Sequence, residues 1–215
     1  NTSIYFLLKH LKQYLKYKMK RKNISNDEEH ETSSESCSEV KMFNNHIYFY
    51  TDVNTKNILE LNMMINEINH CELKFDDIFI HIQSYGGDVY EALSAVDTIS
   101  NSEIPVTTIV EGFAASAATL ISISGDYRYI FRHASMLVHQ LRGGLYGKKC
   151  DLDDEHDNIQ KLDKLLKNIY KDHTTMKMKQ IDELIKKEIT LDPNTCLKYG
   201  LADEIYKIEK KRRLK

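Results

Sequence analysis

Residues 78–100 read IFIHIQSYGGDVYEALSAVDTIS, and the fold turns on how this stretch is parsed. The β-prone run 78–82 predicts a strand, the paired glycines Gly86 and Gly87 stop it, and 88–100 carries the pattern of a helix. The same strand-then-helix unit recurs on both sides. Upstream, 46–50 is a short apolar strand, and 56–68 has helical spacing through Ile58, Leu61, Met64, Ile65 and Ile68. Downstream, 106–110 reads as a strand and 114–124 as a helix of mostly small and β-branched residues, followed by two short strands at 127–131 and 134–139. A long helical stretch, 151–187, places Leu152, Ile159, Leu162, Leu166 and Ile169 at helical intervals and breaks at 173–175. Alternating β and α elements predict an α/β layered fold with parallel strands and right-handed crossovers.

Outside this block the composition changes. From 1 to 22 there are seven Lys and Arg residues and no acidic one, with Ile4, Leu8, Leu11 and Leu15 on one helical face. That pattern predicts a basic amphipathic segment, which either packs on its own domain or a partner, anchors at a membrane surface, or belongs to an organelle-targeting segment. The stretch 23–39 reverses the charge with Asp27, Glu28, Glu29, Glu31, Glu35 and Glu39 among Ser, Thr and Asn, and reads as a disordered linker. A single domain at 40–208 and a basic tail at 209–215 complete the organisation. No internal repeat is visible.

The 215 residues carry a formal charge of −2, so no chain-wide field attracts nucleic acid, and nucleic acid is not an expected partner. Cys37, Cys71, Cys150 and Cys196 are scattered, with no C-x-x-C pair and no histidine at zinc-finger spacing. They read as reduced thiols in a reducing intracellular compartment, cytoplasmic or organellar (plastid or mitochondrion), and neither metal nor cofactor is expected. No run of 18 apolar residues exists, so no segment is expected to span a membrane.

Ligands in open α/β folds sit at the carboxyl ends of strands, and three such ends carry unusual residues. Ser84-Tyr85-Gly86-Gly87-Asp88 is, taken alone, a tight βα turn; its functional reading is half of an oxyanion hole, since paired glycines let backbone N–H groups turn outward. Gly112-Phe113-Ala114-Ala115-Ser116-Ala117-Ala118 either packs closely as a small-residue helix or presents the Ser116 hydroxyl in a first helical turn, beside the free N–H of Ala117. Met136-Leu137-Val138-His139-Gln140 ends a β-prone run in a histidine. His139 is a surface residue unless Ser116 lies near it, in which case a neutral imidazole can take the hydroxyl proton.

Together, Gln83 through Gly87, Gly112 through Ser116 and Met136 through Gln140 resemble the ClpP family of self-compartmentalising serine peptidases. Thr190-Leu191-Asp192 and Tyr199-Gly200-Leu201-Ala202-Asp203 look like that family's last helix and strand, so the resemblance spans about 47–205, with a shortening of two residues in the turn near 125–129. It implies a ClpP/crotonase-like layered β-α superhelix with a protruding helix-strand handle. It implies an endopeptidase acting on unfolded polypeptide or short peptides, with Ser116 forming an acyl-enzyme, His139 shuttling the proton, and the amides of Gly87 and Ala117 holding the oxyanion. It further implies heptameric rings stacked as a tetradecamer, with the handle at the contact between rings, and an AAA+ unfoldase as partner.

The sequence departs from the family pattern at several points. Counted back from Tyr199-Gly200, the orienting acid falls on Glu188 rather than an aspartate, with Asp192 as the other candidate. Tyr85 and Leu141 stand where the family has prolines, and the acidic linker replaces the axial loop that docks an unfoldase. A non-catalytic ring subunit assembled with an active paralogue is therefore a competing expectation. A crotonase-type acyl-CoA enzyme and a Ser-Lys membrane relative, with Lys148 or Lys149 as base, fit less of the pattern.

Overall fold

A computed structural model of the chain describes residues 39–144 and 146–207, all within the unit Ser38–Lys215. The basic segment 1–22, the acidic linker except its last residue, and the tail 209–215 lie outside the described residues.

Alternating apolar residues build the sheet. Strand β1 (Val40–Phe43) turns through Asn44-Asn45 into β2 (His46–Phe49), with Asn44 at φ 55° supplying the left-handed residue of the turn. Helix α1 (Thr55–His70) carries the chain to β3 (Ile78–Ser84), helix α2 (Val89–Ser100) to β4 (Val106–Ala115), and helix α3 (Ala117–Ile123) to β5 (Tyr127–Ile130). β6 (Ser135–Leu137), helix α4 (Lys149–His173), helix α5 (Met178–Ile185), helix α6 (Pro193–Tyr199) and β7 (Glu204–Ile205) follow. The sheet order is β1-β2-β3-β4-β5-β7, with every pairing parallel except the β1–β2 hairpin. This is the α/β layered architecture that the β-α alternation predicts.

Two layers bury the core. Ile47 and Phe49 of β2 and Ile78, Ile80 and Ile82 of β3 are fully buried, as are Leu61 and Ile65 of α1 and Ala92 and Ala95 of α2. Each large apolar side chain so buried contributes about 1.5–3 kcal/mol.

β4 differs from its expected extent. The run 114–118 reads as helix because alanine favours one, yet Ala114 and Ala115 remain in the strand, since Ala114 pairs with Ser84 of β3 and both alanines pair with Met136 and Leu137 of β6. The first half of β4 lies beside β5 and its second half beside β6. β6 thus takes over the edge that β5 leaves, and the carboxyl ends of β3, β4 and β6 are brought together. The long helix also divides as expected, with α4 ending at His173 and α5 beginning at Met178.

Candidate active site

Ser116 is the residue between β4 and α3, so it caps the helix rather than lying in its first turn. Its backbone sits at φ 55° and ψ −130°, a conformation that costs a non-glycine residue about 1–3 kcal/mol. The surroundings hold it there. Its N–H donates to Leu137 O of β6 at 2.9 Å, and its carbonyl accepts from Thr119 N at 2.9 Å and from Thr119 Oγ1 at 2.6 Å. Thr119 Oγ1 is in turn hydrogen-bonded to the Tyr170 hydroxyl, reaching in from α4. Burial pushes the Tyr170 phenol up to about 12, so it stays neutral and available as a donor. The Ser116 hydroxyl does not cap the helix and makes no hydrogen bond among the described residues.

The glycine pair abuts this turn. A Cβ on Gly86, which has φ 95°, would lie 2.7 Å from Ser116 Cβ and 2.6 Å from Ala115 O, and one on Gly87, at φ 151°, would lie 2.1 Å from Val53 O. Only glycine permits both the backbone conformation and the close approach. Val53 uses both of its backbone groups on the neighbours of Gly87, its N–H donating to Gly86 O at 2.8 Å and its carbonyl accepting from Asp88 N at 2.9 Å. In a parallel bridge that pattern turns the N–H of Gly87 to the other side. Neither that N–H nor the N–H of Ala117 has a protein acceptor among the described residues.

His139 lies two residues beyond β6, half-buried, with Nδ1 at 2.7 Å from Gln140 O. A carbonyl only accepts, so Nδ1 is a protonated nitrogen and, in the neutral ring, Nε2 carries the lone pair. Ser116, Ala117, Gly87 and His139 all line one cavity of about 760 Å³, whose apolar wall includes Leu162 of α4 and Ile185 of α5. The Ser116 hydroxyl and His139 share this cavity without hydrogen-bonding to each other. Tyr85, in the position of the missing proline, is 76% exposed at the rim with its ring centroid 5.4 Å from that of Phe113.

The two candidate acids are placed differently. Asp192 caps α6, its carboxylate accepting from Asn194 N at 2.9 Å, Thr195 N at 3.2 Å and Thr195 Oγ1 at 2.7 Å. These bonds, the Thr195 hydroxyl first, hold its carboxyl below the usual range. Glu188 is ion-paired with Arg142. The Arg142 hydrogen bond, then its charge, lowers the Glu188 carboxyl, and His139 adds a smaller pull. Neither carboxylate is hydrogen-bonded to His139.

Two supporting residues escape a reading of the sequence. Thr119 and Tyr170 lie 51 positions apart, and Tyr170 looks like one more member of the apolar stripe of α4. Gly86, rather than Gly87, makes the contact with Ser116. A hydroxyl, an imidazole with a free lone pair and two unpaired amides around one cavity are the parts that acyl transfer requires.

The family model described as Clp protease matches residues 30–209. Among curated proteins, the chain is 36% identical over 133 residues to the ATP-dependent Clp protease proteolytic subunit of Streptococcus mutans, covering 60% of this chain and 68% of the relative. The chain belongs to the Clp protease family of hydrolases.

Proposed function

We propose that the chain is a serine endopeptidase that cleaves unfolded polypeptides or short peptides. The observation that carries this reading is the convergence of Ser116, His139 and the amides of Gly87 and Ala117 on one cavity. Ser116 Oγ adds to the scissile carbonyl carbon while its proton passes to His139 Nε2. The carbonyl electron pair moves onto oxygen, where the N–H groups of Gly87 and Ala117 stabilise it. Collapse breaks the C–N bond, and the amine leaves with the proton from His139. Water then attacks the acyl ester, gives its proton to His139, and the acid product departs as Ser116 Oγ recovers a proton. Glu188 is the acid that orients the imidazole in this scheme.

The same proposal extends to domain limits and assembly. Residues 40–208 form the peptidase domain, and heptameric rings stacked as a tetradecamer enclose the cavity. Tyr170 is the single buried residue of the 25 in α4, while Leu152 and Leu165 are exposed, which supports a helix that packs on another subunit. An AAA+ unfoldase partner rests on the ATP dependence in the name of the Streptococcus mutans relative. No helix among the described residues is long and apolar enough to cross a membrane.

A fluorophosphonate or β-lactone is expected to acylate or phosphonylate the wild type at Ser116 and to leave Ser116→Ala unmodified, read by intact-protein mass spectrometry. An assembled wild type that takes up no label would sink the proposal. A second reading, a non-catalytic ring subunit, draws support from the missing Ser116–His139 hydrogen bond and from the pairing of Glu188 with Arg142. Peptide hydrolysis by the purified chain alone separates the two.

A further inference from the structure

Leu191 and Met136 exchange both backbone hydrogen bonds, Met136 N to Leu191 O at 3.1 Å and Leu191 N to Met136 O at 2.7 Å, as an isolated antiparallel bridge. The bridge is isolated, and no backbone hydrogen bond joins Val138 to Ile189; counted three residues on from it, Glu188 is the position that corresponds to His139. The carboxylate is nevertheless taken by Arg142, three residues after His139 on the same strap, and His139 Nδ1 is left to its neighbour's carbonyl. Arg142 and Glu188 are both exposed, at 67% and 55% of their side-chain surface, so their pairing is a weak contact that can be exchanged.

We propose that Arg142 is a positioning residue that acts as a brake, holding Glu188 away from His139, so that the site alternates between a carbonyl-oriented and a carboxylate-oriented imidazole. The inference rests on the serine peptidase reading above. With Arg142 paired to Glu188, Gln140 O fixes the tautomer of His139 but offers only a dipole to the imidazolium that forms as Ser116 loses its proton. When Arg142 lets go, the Glu188 carboxylate accepts a hydrogen bond from His139 Nδ1–H and, still ionised, opposes that charge directly. The longer glutamate side chain suits this exchange, because its added methylene lets one carboxylate reach either the guanidinium or the ring. Arginine suits it too, since its planar fork binds a carboxylate through two donors. An exposed pair shifts such a balance by about two- to fivefold, so the brake is partial.

The test compares the wild type with Arg142→Leu, Arg142→Lys, Glu188→Gln and the double variant Arg142→Leu/Glu188→Gln, all at the assembly state of the wild type. Peptide hydrolysis is read as separate kcat and KM, Ser116 modification as a fluorophosphonate rate, and the His139 Nδ1 proton by NMR. Arg142→Leu is expected to raise kcat and the labelling rate about two- to fivefold with KM unchanged, and to move the Nδ1 proton downfield as it passes from a carbonyl to a carboxylate. Arg142→Lys, which can still pair, stays near the wild type. In the Glu188→Gln background the Arg142 substitution has no effect. A gain that persists without Glu188, an unchanged Nδ1 resonance, or a labelled wild type whose rate Arg142→Leu leaves unchanged or lowers overturns the brake alone. Folded, assembled proteins that take no label with or without Arg142 overturn both the brake and the peptidase reading.

Discussion

His81 lies within β3 and His139 just beyond β6 of the same sheet, and the two are equipped in opposite ways. His81 in β3 is 6% exposed, with Nδ1 at 2.7 Å from Glu111 Oε1 and Nε2 at 2.9 Å from His46 Nδ1, and the ring of Tyr48 stacked on it at 4.5 Å. By the geometry of a carboxylate-oriented imidazole, it is the better built of the two. His139 has a carbonyl where His81 has a carboxylate, and Glu188 is paired with an arginine. The difference is that both ring nitrogens of His81 are hydrogen-bonded inside the fold, whereas Nε2 of His139 has no partner among the described residues and His139 lines the cavity that Ser116 also lines. In the serine peptidase reading, a ring nitrogen left free at the cavity serves better than a well-placed acid. His81, His46 and Glu111 read instead as a structural cluster that fills one face of β2, β3 and β4.

The strongest way to break this contrast is to truncate each histidine in turn. His139→Ala is expected to lower kcat for peptide hydrolysis by about 10⁴-fold or more, because nucleophile and base act as a unit. His81→Ala is expected to leave the fluorophosphonate rate within about threefold while destabilising the fold by roughly 2–3 kcal/mol, since Glu111 stays behind without its partner. A His81→Ala protein that is folded by circular dichroism but does not label would dissolve the distinction.

A second measurement sharpens it through pH. Burial first, and the neighbouring His46 second, push the His81 imidazole down to about 4, while an unfolded histidine titrates near 6.5. Between those values the unfolded chain binds the extra proton, so the stability that His81 contributes is present above about 6.5 and is lost as pH falls toward about 4. The shift corresponds to up to about 3 kcal/mol. Burial also lowers His46, which acts in the same direction, and raises Glu111, which acts in the opposite one and offsets part of the slope. Chemical denaturation across this range is expected to show a steeper loss for the wild type than for His81→Gln, and equal slopes would refute the assignment.

The smallest effect separates the two acids. Asp192→Ala removes the cap of α6 and is expected to lower the denaturant midpoint slightly without altering the labelling rate of Ser116. A large fall in labelling at full stability would return Asp192 to the site.

Most of the fold was legible because burial writes itself into the chain. Ile78, Ile80 and Ile82 alternate, and Ile58, Leu61, Ile65 and Ile68 recur at helical spacing, so β3 and α1 could be read directly. Two elements escaped for physical reasons. β1 is four residues long with exposed Lys41 between its apolar positions, and only Asn44-Asn45 signalled the hairpin. The end of β4 consists of alanines whose local preference for helix is overridden by pairing with β3 and β6. At the site, each of Gly87, Ser116 and His139 was ambiguous alone, and it was the family resemblance carried by their motifs that predicted their convergence on one cavity. The pairing of Glu188 with Arg142 was not predicted, because it joins residues 46 positions apart on two irregular segments, where no periodicity constrains a side chain.

Tyr170 lies near the carboxyl end of α4, and the preceding turns contribute no other buried side chain. Opening of that helix is therefore graded in time. In a lone subunit, backbone amides at its amino-terminal end are expected to exchange with deuterium through local fraying that never reaches the sheet, whereas those around Tyr170 are expected to exchange only in the event that also releases Thr119 and the carbonyl of Ser116. Deuterium uptake along one helix thus forms a clock, whose slowest hand keeps the lifetime of the turn that holds the serine.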